Sequence, residues 1–525
     1  MRYIYSIIKA DYLQRTRSYS FLITLAITIY GAYSFVPPPT ASYTTLNIVG
    51  YKGIYNSAWV GYVSAMMTTI MLSLYGFFLV NSGIKKDIDT EVGLIIATTP
   101  ITNFGYLLSK MLSNFLVLLT IAGITFTVSI AMFFLRSSGS PFVIADFIIP
   151  YLLFALPALF FISALAVVAE VFLGKRNILQ YITFVFLFGI IMANVTAARN
   201  NTIAIFIDPF GVRTMTHSIM DKVNSRYHTD VKEVNLGFTF NAKHAFKTFE
   251  WNGIKWTGIF LLSRLTWIFF ALGVVYFSSF FFHRFDSRQR VSRKKKSGAV
   301  VFNTETVKVS STSINPALLP AVTADYSIFP FIKTELLLLI RKGPKWFWLI
   351  NGGLWISMLI APLDIAHAYL LPVLLFLQVT RWSDLATKEK TNRLHYFTYS
   401  SYKPLQRMLP AQLLAGVIMS LALTLPVLLR YLIISDFYSI INIVNGAVFI
   451  VLLAVCIGII SGGKKLYEIL FFMLTYAVIE KVPPLDYLGG MQHDSHSGII
   501  TIVLMLNIFL GAVSFGVRSY QVRHL

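Results

Sequence analysis

The sequence is short of cysteine and of charge. Its 525 residues include one cysteine, Cys456, so no intrachain disulfide can form. Charged residues make up only 13% of the chain, whereas soluble proteins carry roughly 25%. Too few charged side chains are therefore available to cover the surface of a water-soluble fold of this length. The composition also excludes disordered, collagen-like and disulfide-stapled proteins.

Acidic residues are the scarcer kind of charge. The chain has 23 Asp and Glu against 44 Lys and Arg, a formal net charge of +21. Such an excess usually raises nucleic acid as a partner. Here 56% of the residues are hydrophobic, and long uncharged stretches separate the cations. The sequence therefore predicts a polytopic membrane protein whose surroundings are the lipid bilayer, with no nucleic-acid partner.

Apolar stretches predict about twelve membrane-spanning helices, with an uncertainty of one. A helix needs about 20 mostly apolar residues to cross the hydrocarbon core. The fourth stretch contains Pro150 and Pro157, so a kink or a re-entrant piece is expected there. The twelve stretches are 19–36, 57–81, 111–135, 142–173, 178–198, 259–282, 346–360, 366–380, 408–434, 440–460, 466–479 and 498–517.

The basic residues predict the orientation, because Lys and Arg concentrate in cytoplasmic loops. If the spans alternate, the basic clusters all fall on one side and both termini are cytoplasmic. The first span lacks a small-x-small cleavage site at its end, which favours a retained helix over a signal peptide. The clusters are Arg2, Lys9, Arg15 and Arg17; Lys85 and Lys86; Lys175 and Arg176; 284–296; 381–407; Lys464 and Lys465; and Arg518 and Arg523.

A basic, polar linker at 284–325 divides the chain into two halves with the same layout. Residues 1–283 and 326–525 each open with an amphipathic segment suited to the membrane surface, followed by two spans, a charged cytoplasmic loop and four spans. The first half also contains a long external loop, 199–256. Six spans per half predict an all-α polytopic fold made of two parallel repeats.

The first charged loop, residues 82–110, combines a polar start with an apolar middle. A short helix from about Thr90 would place Val92, Ile95 and Ile96 on one face. Pro100 would end this helix. An apolar face on a cytoplasmic loop predicts a protein partner. The loop reads Asp87-x-x-x-Glu91-x-Gly93-x-Ile95-Ile96-x-Thr98-Thr99-Pro100-Ile101-Thr102, followed by Tyr106-Leu107-Leu108-x-Lys110.

This pattern resembles the permeases of type-2 ATP-binding-cassette exporters. In that family an acidic, glycine-containing stretch precedes an apolar triplet, a Ser/Thr-Thr-Pro-Ile-Ser motif, and then an aromatic residue and a lysine. The resemblance implies that the loop is a coupling helix docking onto a separate nucleotide-binding subunit, and that the amphipathic segment 3–17 is the connecting helix. It implies a bacterial plasma (inner) membrane location. The residues carried over are Asp87, Glu91, Gly93, Ile95, Ile96, Thr98, Thr99 and Pro100.

The loop of the second half, residues 381–407, is a weaker copy. Glu389 takes the acidic position, Leu394 and Phe397 the apolar face, and Thr398 begins the Ser/Thr part. The glycine is absent, and Tyr402 stands near the place of the proline. A second docking site of different shape is therefore expected.

The chain encodes no nucleotide-binding motif. The fragments at 174–176 and 462–465 lack the glycine spacing and the Ser or Thr of a phosphate-binding loop. ATP and magnesium would therefore bind to a partner ATPase, and this chain would contain neither a catalytic residue nor a metal site. Two further groups are candidates for a functional site. Glu170 is expected to form a local ion pair with Lys175 and Arg176 and not a proton or substrate site. His493 and His496, near Asp494, have a spacing that could bind a metal ion but are expected to form a polar loop.

The sequence thus predicts the permease of an ATP-driven exporter of an apolar or amphipathic substrate such as a drug, peptide or lipid. One chain could serve two ATPase subunits, and a homodimer would offer four docking loops. A secondary transporter of the major-facilitator type is an alternative, although the loop after the second span lacks that family's Gly-x-x-x-Asp-Arg pattern. A second alternative is an intramembrane transferase that acts on a lipid-linked substrate and uses Arg199, Asp208 and Arg213 in the external loop.

Overall fold

A computed structural model describes most of the chain. The linker 284–325 lies outside the described part, and so do Lys175, Arg176, Arg199 and the cluster of His493, Asp494 and His496. The described residues are 2–38, 41, 43–48, 50–137, 139–174, 177–196, 202–229, 231, 234–240, 247–282, 327–479, 482, 485–490 and 497–524.

Helices dominate the first half. Several begin where a side-chain oxygen accepts a backbone N–H three residues on, as Ser18, Asn56 and Thr102 do. A π-helical turn, Tyr151–Ala155, joins α7 to α8, so the helix continues through both prolines of the fourth stretch. The helices are α1 Arg2–Thr16, α2 Tyr19–Ser34, α3 Ser57–Val80, α4 Gly83–Asp89, α5 Val92–Ala97, α6 Asn103–Arg136, α7 Ala145–Pro150, α8 Leu156–Leu173, α9 Asn177–Thr196, α10 Thr202–Ile207, α11 Val212–Tyr227 and α12 Gly258–Phe281.

The second half is also helical. A second π-helical turn, Ala366–Leu370, joins α15 to α16. The helices are α13 Phe329–Arg341, α14 Trp346–Ile360, α15 Leu363–Ile365, α16 Leu371–Leu377, α17 Val379–Trp382, α18 Lys388–Thr391, α19 His395–Tyr399, α20 Pro404–Ile434, α21 Phe437–Ser461, α22 Lys465–Ile479 and α23 Ser497–Arg523.

Helix length and composition support a multi-pass membrane protein. Within the described residues, seven helical segments are long and apolar enough to cross a membrane, and four shorter apolar helices accompany them. Each of the twelve stretches predicted from the sequence is helical. The seven are Ser57–Asp89, Asn103–Arg136, Ala145–Leu173, Gly258–Phe281, Pro404–Ile434, Phe437–Ser461 and Ile500–Arg523; the four are Phe21–Ser34, Ile178–Ala193, Trp346–Ile360 and Leu363–Leu377.

Helix packing follows the same order in both halves. In the first, α1 lies along α6, α6 along α8, and α8 along α12. In the second, α13 lies along α20, α20 along α21, and α21 along α23. The most buried helix is α3, which packs against α6 and α8 of its own half and against α22 of the other. Helices α3 and α22 therefore form part of the boundary between the halves.

Two short sheets join separate segments of the first half. Strand β1, Tyr43–Asn47, pairs antiparallel with β3, Asn235–Phe240. Strand β2, Tyr51–Gly53, pairs parallel with β4, Lys247–Phe249. The helical prediction did not include these strands, which tie residues 235–249 to the segment after α2.

Candidate functional site: two loops with exposed apolar helices

The first loop presents apolar side chains to the solvent on the short helix α5. Val92, Leu94 and Ile95 are 42%, 49% and 68% exposed. Ile96 is half-buried and packs against the core of the first half, and Gly93 is buried. The outward face therefore consists of Val92, Leu94 and Ile95, whereas the sequence pattern had placed Ile96 on it.

The Ser/Thr motif after α5 closes the end of that helix. The Thr98 hydroxyl donates to the carbonyl of Ile95 at 2.8 Å, and the Thr99 hydroxyl donates to that of Ile96 at 2.6 Å. The last carbonyls of a helix lack intrahelical partners, so these hydroxyls satisfy them. Pro100 follows, exposed, and cannot continue the helix.

Both short helices of the first loop begin after a residue with a left-handed backbone. Ser82, before α4, has a φ of 81°, and Glu91, before α5, has a φ of 61°. Side chains other than glycine and asparagine are disfavoured in this region. Glu91 is exposed. Two such turns within ten residues need support from the rest of the fold.

The carboxylate of Glu170 supplies that support at the start of α4. Glu170 is buried at the end of α8. Its two oxygens accept four successive backbone N–H groups, an arrangement favoured by the positive end of a helix. Oε1 accepts from Ser82 at 2.7 Å and from Gly83 at 2.8 Å, and Oε2 accepts from Ile84 at 2.8 Å and from Lys85 at 3.0 Å.

A buried ionic network holds the other end of α4. Lys110, 2% exposed, lies 2.7 Å from carboxylate oxygens of both Asp87 and Asp11. Asp87 also accepts the Tyr106 hydroxyl at 2.7 Å. Asp87 joins α4 to α6, and Asp11 joins α6 to the amphipathic helix α1. Asp87 is therefore an anchor of the loop and does not lie on its outer surface.

Helix α4 and the contacts of Glu170 were missed by the sequence argument. The sequence drew attention to Glu170 as a lone carboxylate at the end of a span, but assigned it to Lys175 and Arg176, which lie outside the described residues. Its observed partners are backbone groups more than 80 positions earlier in the chain. A polar turn directly after the second span was the only local signal for a capped helix.

The second loop also exposes apolar side chains. Helices α18 and α19 form its middle, and Leu394, Tyr396 and Phe397 are 51%, 63% and 78% exposed. The Thr398 hydroxyl donates to the Leu394 carbonyl at 3.1 Å. Two of the exposed residues, Leu394 and Phe397, are those predicted from the sequence. Tyr396 adds an aromatic ring to the same surface.

Glu389 anchors the second loop from within. It is 3% exposed and accepts Gln412 Nε2, on α20, at 2.6 Å. Its neighbour Lys388 forms an ion pair with Glu335 on the amphipathic helix α13. In both halves, therefore, polar contacts link the loop to the amphipathic helix (α1 or α13) and to the long helix that follows the loop (α6 or α20). Like Asp87, Glu389 lies inside and does not contribute to the exposed surface.

Burial raises the pKa of the Glu389 carboxyl above its ordinary value, because its charged form loses hydration. An acid with a raised pKa in the folded state favours folding when protonated and opposes it when ionised. We therefore expect Glu389→Gln to raise the unfolding temperature at pH 7.5. This gain should shrink as the pH falls through the folded-state pKa and vanish below the unfolded value. Thermal unfolding of both proteins from pH 4 to pH 8 measures it, and a pH-independent difference would contradict it.

A recess lies between α2, α3 and α22, where the two halves meet. It contains about 600 Å³ that no protein atom fills, including space open to its surroundings. Its walls are apolar with hydroxyl groups, among them Thr28 and Tyr75, whose oxygens lie 2.9 Å apart. Among the described residues that line it, none is charged. The recess suits an uncharged molecule or an apolar chain.

Asp208, one of the residues considered for a transferase, has a structural role. Asp208 is 2% exposed, and its carboxylate accepts the backbone N–H groups of Phe210, Gly211 and Arg213 at 2.8–2.9 Å. The Arg264 guanidinium binds the carbonyl of Asp208. This arrangement caps the start of α11. Arg199 lies outside the described residues.

Comparisons with protein-family models, with curated proteins and with solved structures find no match for this chain. Its function is therefore inferred from the two exposed apolar loops, their buried anchors and the recess.

Proposed function

We propose that the chain is the membrane-spanning subunit of an exporter driven by ATP hydrolysis in a separate cytoplasmic ATPase. The observation that carries the proposal is the pair of loops. Each exposes an apolar surface on a short helix, α5 or α19, and holds the short helix before it, α4 or α18, on buried polar side chains. Exposed apolar side chains on an anchored helix are typical of a surface that a partner covers.

The order of helix packing supports a twelve-span, two-repeat architecture. In both halves an amphipathic helix lies along the long helix that follows the loop, α6 or α20. This long helix packs against the next long helix, α8 or α21, which in turn packs against the last helix of the half, α12 or α23. In such an architecture both loops face the cytoplasm, and the two ends of the chain lie on that side. One chain would then offer two docking loops, one for each of two ATPase subunits.

The loops share one further feature that suits docking. In the first loop the carboxylate of Asp87, and in the second that of Glu389, is turned inward and tied to the long helix that follows. A force applied to α5 or α19 would therefore reach the spans through these contacts. Rigid attachment of this kind is what a transmission element needs.

The recess between the halves supports an apolar or amphipathic substrate. A charged substrate would lose its hydration there without finding an opposite charge among the described lining residues. The hydroxyls of Thr28 and Tyr75 bond to each other, and Thr28 also donates to the Thr24 carbonyl, so their remaining lone pairs suit a molecule that donates a hydrogen bond from a small polar group.

The test is association with ATPases encoded beside this chain, measured by co-purification and by ATP-dependent transport. We expect Ile95→Asp combined with Phe397→Asp to abolish association, because each places a charge at the centre of an exposed apolar surface. These positions are better chosen than Ile96, which is half-buried, so its substitution would also disturb the fold. Each single variant should weaken association by about tenfold or more, an effect typical of a central interface residue.

Ile203→Asp is the matched control, since Ile203 is 64% exposed on the external helix α10. It makes the same chemical change at similar exposure and should leave association unchanged. Equal loss in the control would indicate general destabilisation. ATP-independent transport by the purified chain alone would contradict the proposal and favour a secondary transporter.

A further inference from the structure

The start of α22 contacts both loops, although it belongs to the second half. Its first turn contributes Lys465 and Glu468, and Lys464 precedes it. The sequence assigned the two lysines only to orientation in the membrane. In the structure all three side chains bind polar groups of other elements.

Lys465 binds the end of α3, where the first loop begins. Its ammonium donates to the carbonyl of Asn81 at 2.7 Å and to that of Phe78 at 3.2 Å. The next residue is Ser82, whose N–H is held by Glu170. A displacement of Ser82 would thus act directly on the carbonyl that Lys465 binds.

Lys464 and Glu468 bind the second loop. Lys464 forms an ion pair with Asp384, which also pairs with Lys342 at the end of α13. The two ammonium groups outweigh burial, so the pKa of Asp384 lies below its ordinary value. The Ser383 hydroxyl donates to Glu468 Oε1 at 3.3 Å. Ser383 and Asp384 directly follow α17, at the start of the second loop.

Glu468 also joins the halves directly. Its other oxygen, Oε2, accepts the hydroxyl of Tyr181, on α9 of the first half, at 2.8 Å. Glu468 is 4% exposed, so these bonds form away from bulk water, where hydrogen bonds are strong and a missing partner is costly. One carboxylate thus accepts a hydrogen bond from each half.

Aromatic rings pack beneath these polar contacts. Phe78 at the end of α3 lies with its ring centroid 4.1 Å from that of Phe472 on α22 and 4.9 Å from that of Tyr181. A close-packed cluster transmits displacement and does not absorb it. The start of α22 is therefore held against α3 by packing as well as by hydrogen bonds.

We propose that Lys464, Lys465 and Glu468 form a relay that couples the conformation of the first loop to that of the second. They act as positioning residues: a change at one loop shifts the start of α22 and alters the stability of the other. The value of this coupling for transport rests on the proposed function, because it would make two docked ATPase subunits act together. The coupling itself is a property of the chain alone.

Hydrogen exchange on the full-length chain in lipid nanodiscs, without any ATPase, tests the relay. Glu170→Ala removes the acceptor for four amides and loosens the first loop directly. We expect exchange also to rise in the second loop, at residues 388–399, by about fivefold or more, the usual lower range of coupling between sites. In a Lys465→Met, Glu468→Gln background this distant increase should disappear, while the local increase at residues 83–89 remains.

The reciprocal variant keeps the test decisive if Glu170→Ala does not fold. Asp384→Asn weakens the ion pairs of the second loop, and because coupling is reciprocal, exchange should rise at residues 83–97. Arg430→Met is the control: it removes a guanidinium bound to the Met358 and Ala361 carbonyls, far along the chain from either loop. It should leave exchange in both loops unchanged.

Two results would overturn the relay: no distant change in the intact background, or an equal distant change after Lys465 and Glu468 are replaced. Neither result depends on an ATPase. Failure of the coupling therefore differs from failure of docking, which the co-purification experiment measures independently.

Discussion

Replacing Lys110 with methionine should destabilise the protein by ~3–5 kcal/mol, the cost expected when one partner of a buried ionic group is removed. Lys110 is 2% exposed and lies 2.7 Å from carboxylates of both Asp11 and Asp87. Without its ammonium, two nearby carboxylates would face each other, compensated in part by the Tyr106 hydroxyl and by the charges of Arg15 and Lys86. Thermal unfolding in detergent, with retention of the monodisperse protein after mild heating, measures the effect.

A triple variant separates charge from packing. If the loss comes from uncompensated carboxylates, Lys110→Met combined with Asp11→Asn and Asp87→Asn should recover a large part of the stability, since the ammonium and both of its carboxylate partners are then removed together. Lys9→Met, at an exposed position of α1, is the control and should change stability by less than ~0.5 kcal/mol. A triple variant as unstable as Lys110→Met would show that the lysine stem matters and the ion pairs do not.

The sequence predicted the positions of the helices well because their signal is local. All twelve apolar stretches are helical, and the amphipathic segments at the start of each half correspond to α1 and α13. Runs of apolar residues and their periodicity are properties of adjacent positions. The sequence likewise placed a short helix before Pro100, which the structure bounds as Val92–Ala97.

The roles of individual loop residues could not be predicted in this way. Asp87 and Glu389 were carried over as docking residues because they occupy the acidic positions of the family pattern, yet both are buried. Their burial depends on Lys110 and Gln412, whose contacts with them only tertiary packing establishes. Leu94 was overlooked because the pattern favoured Ile96, but in the structure Ile96 packs against the core and Leu94 is exposed.

The second large effect is expected at Glu170, whose carboxylate accepts the N–H of Ser82 and the first three N–H groups of α4. A hydrogen bond to a charged group contributes ~1.5–3 kcal/mol, and a freed amide in a loop recovers part of this from water. For Glu170→Ala we expect a net local loss on the order of 3 kcal/mol, or roughly a hundredfold faster exchange at residues 83–89. Glu170→Gln keeps one neutral acceptor, so its exchange rates at residues 83–89 should lie between those of Glu170→Ala and those of the native protein.

Glu170→Ala also tests whether docking requires a fixed orientation of the apolar face or only its exposure. Glu170→Ala leaves Val92, Leu94 and Ile95 in the chain but removes the support of the start of α4, the helix that precedes them. If a partner ATPase requires a preset helix, association should weaken and ATP-driven transport should fall further than association, because a loosened loop transmits less displacement to α3. Amides of α11, which belongs to a different part of the chain, should keep their protection, which distinguishes local loosening from global unfolding. Unchanged transport with unprotected α4 amides would mean that the partner orders the loop on binding, and that Glu170 serves the stability of the free chain alone.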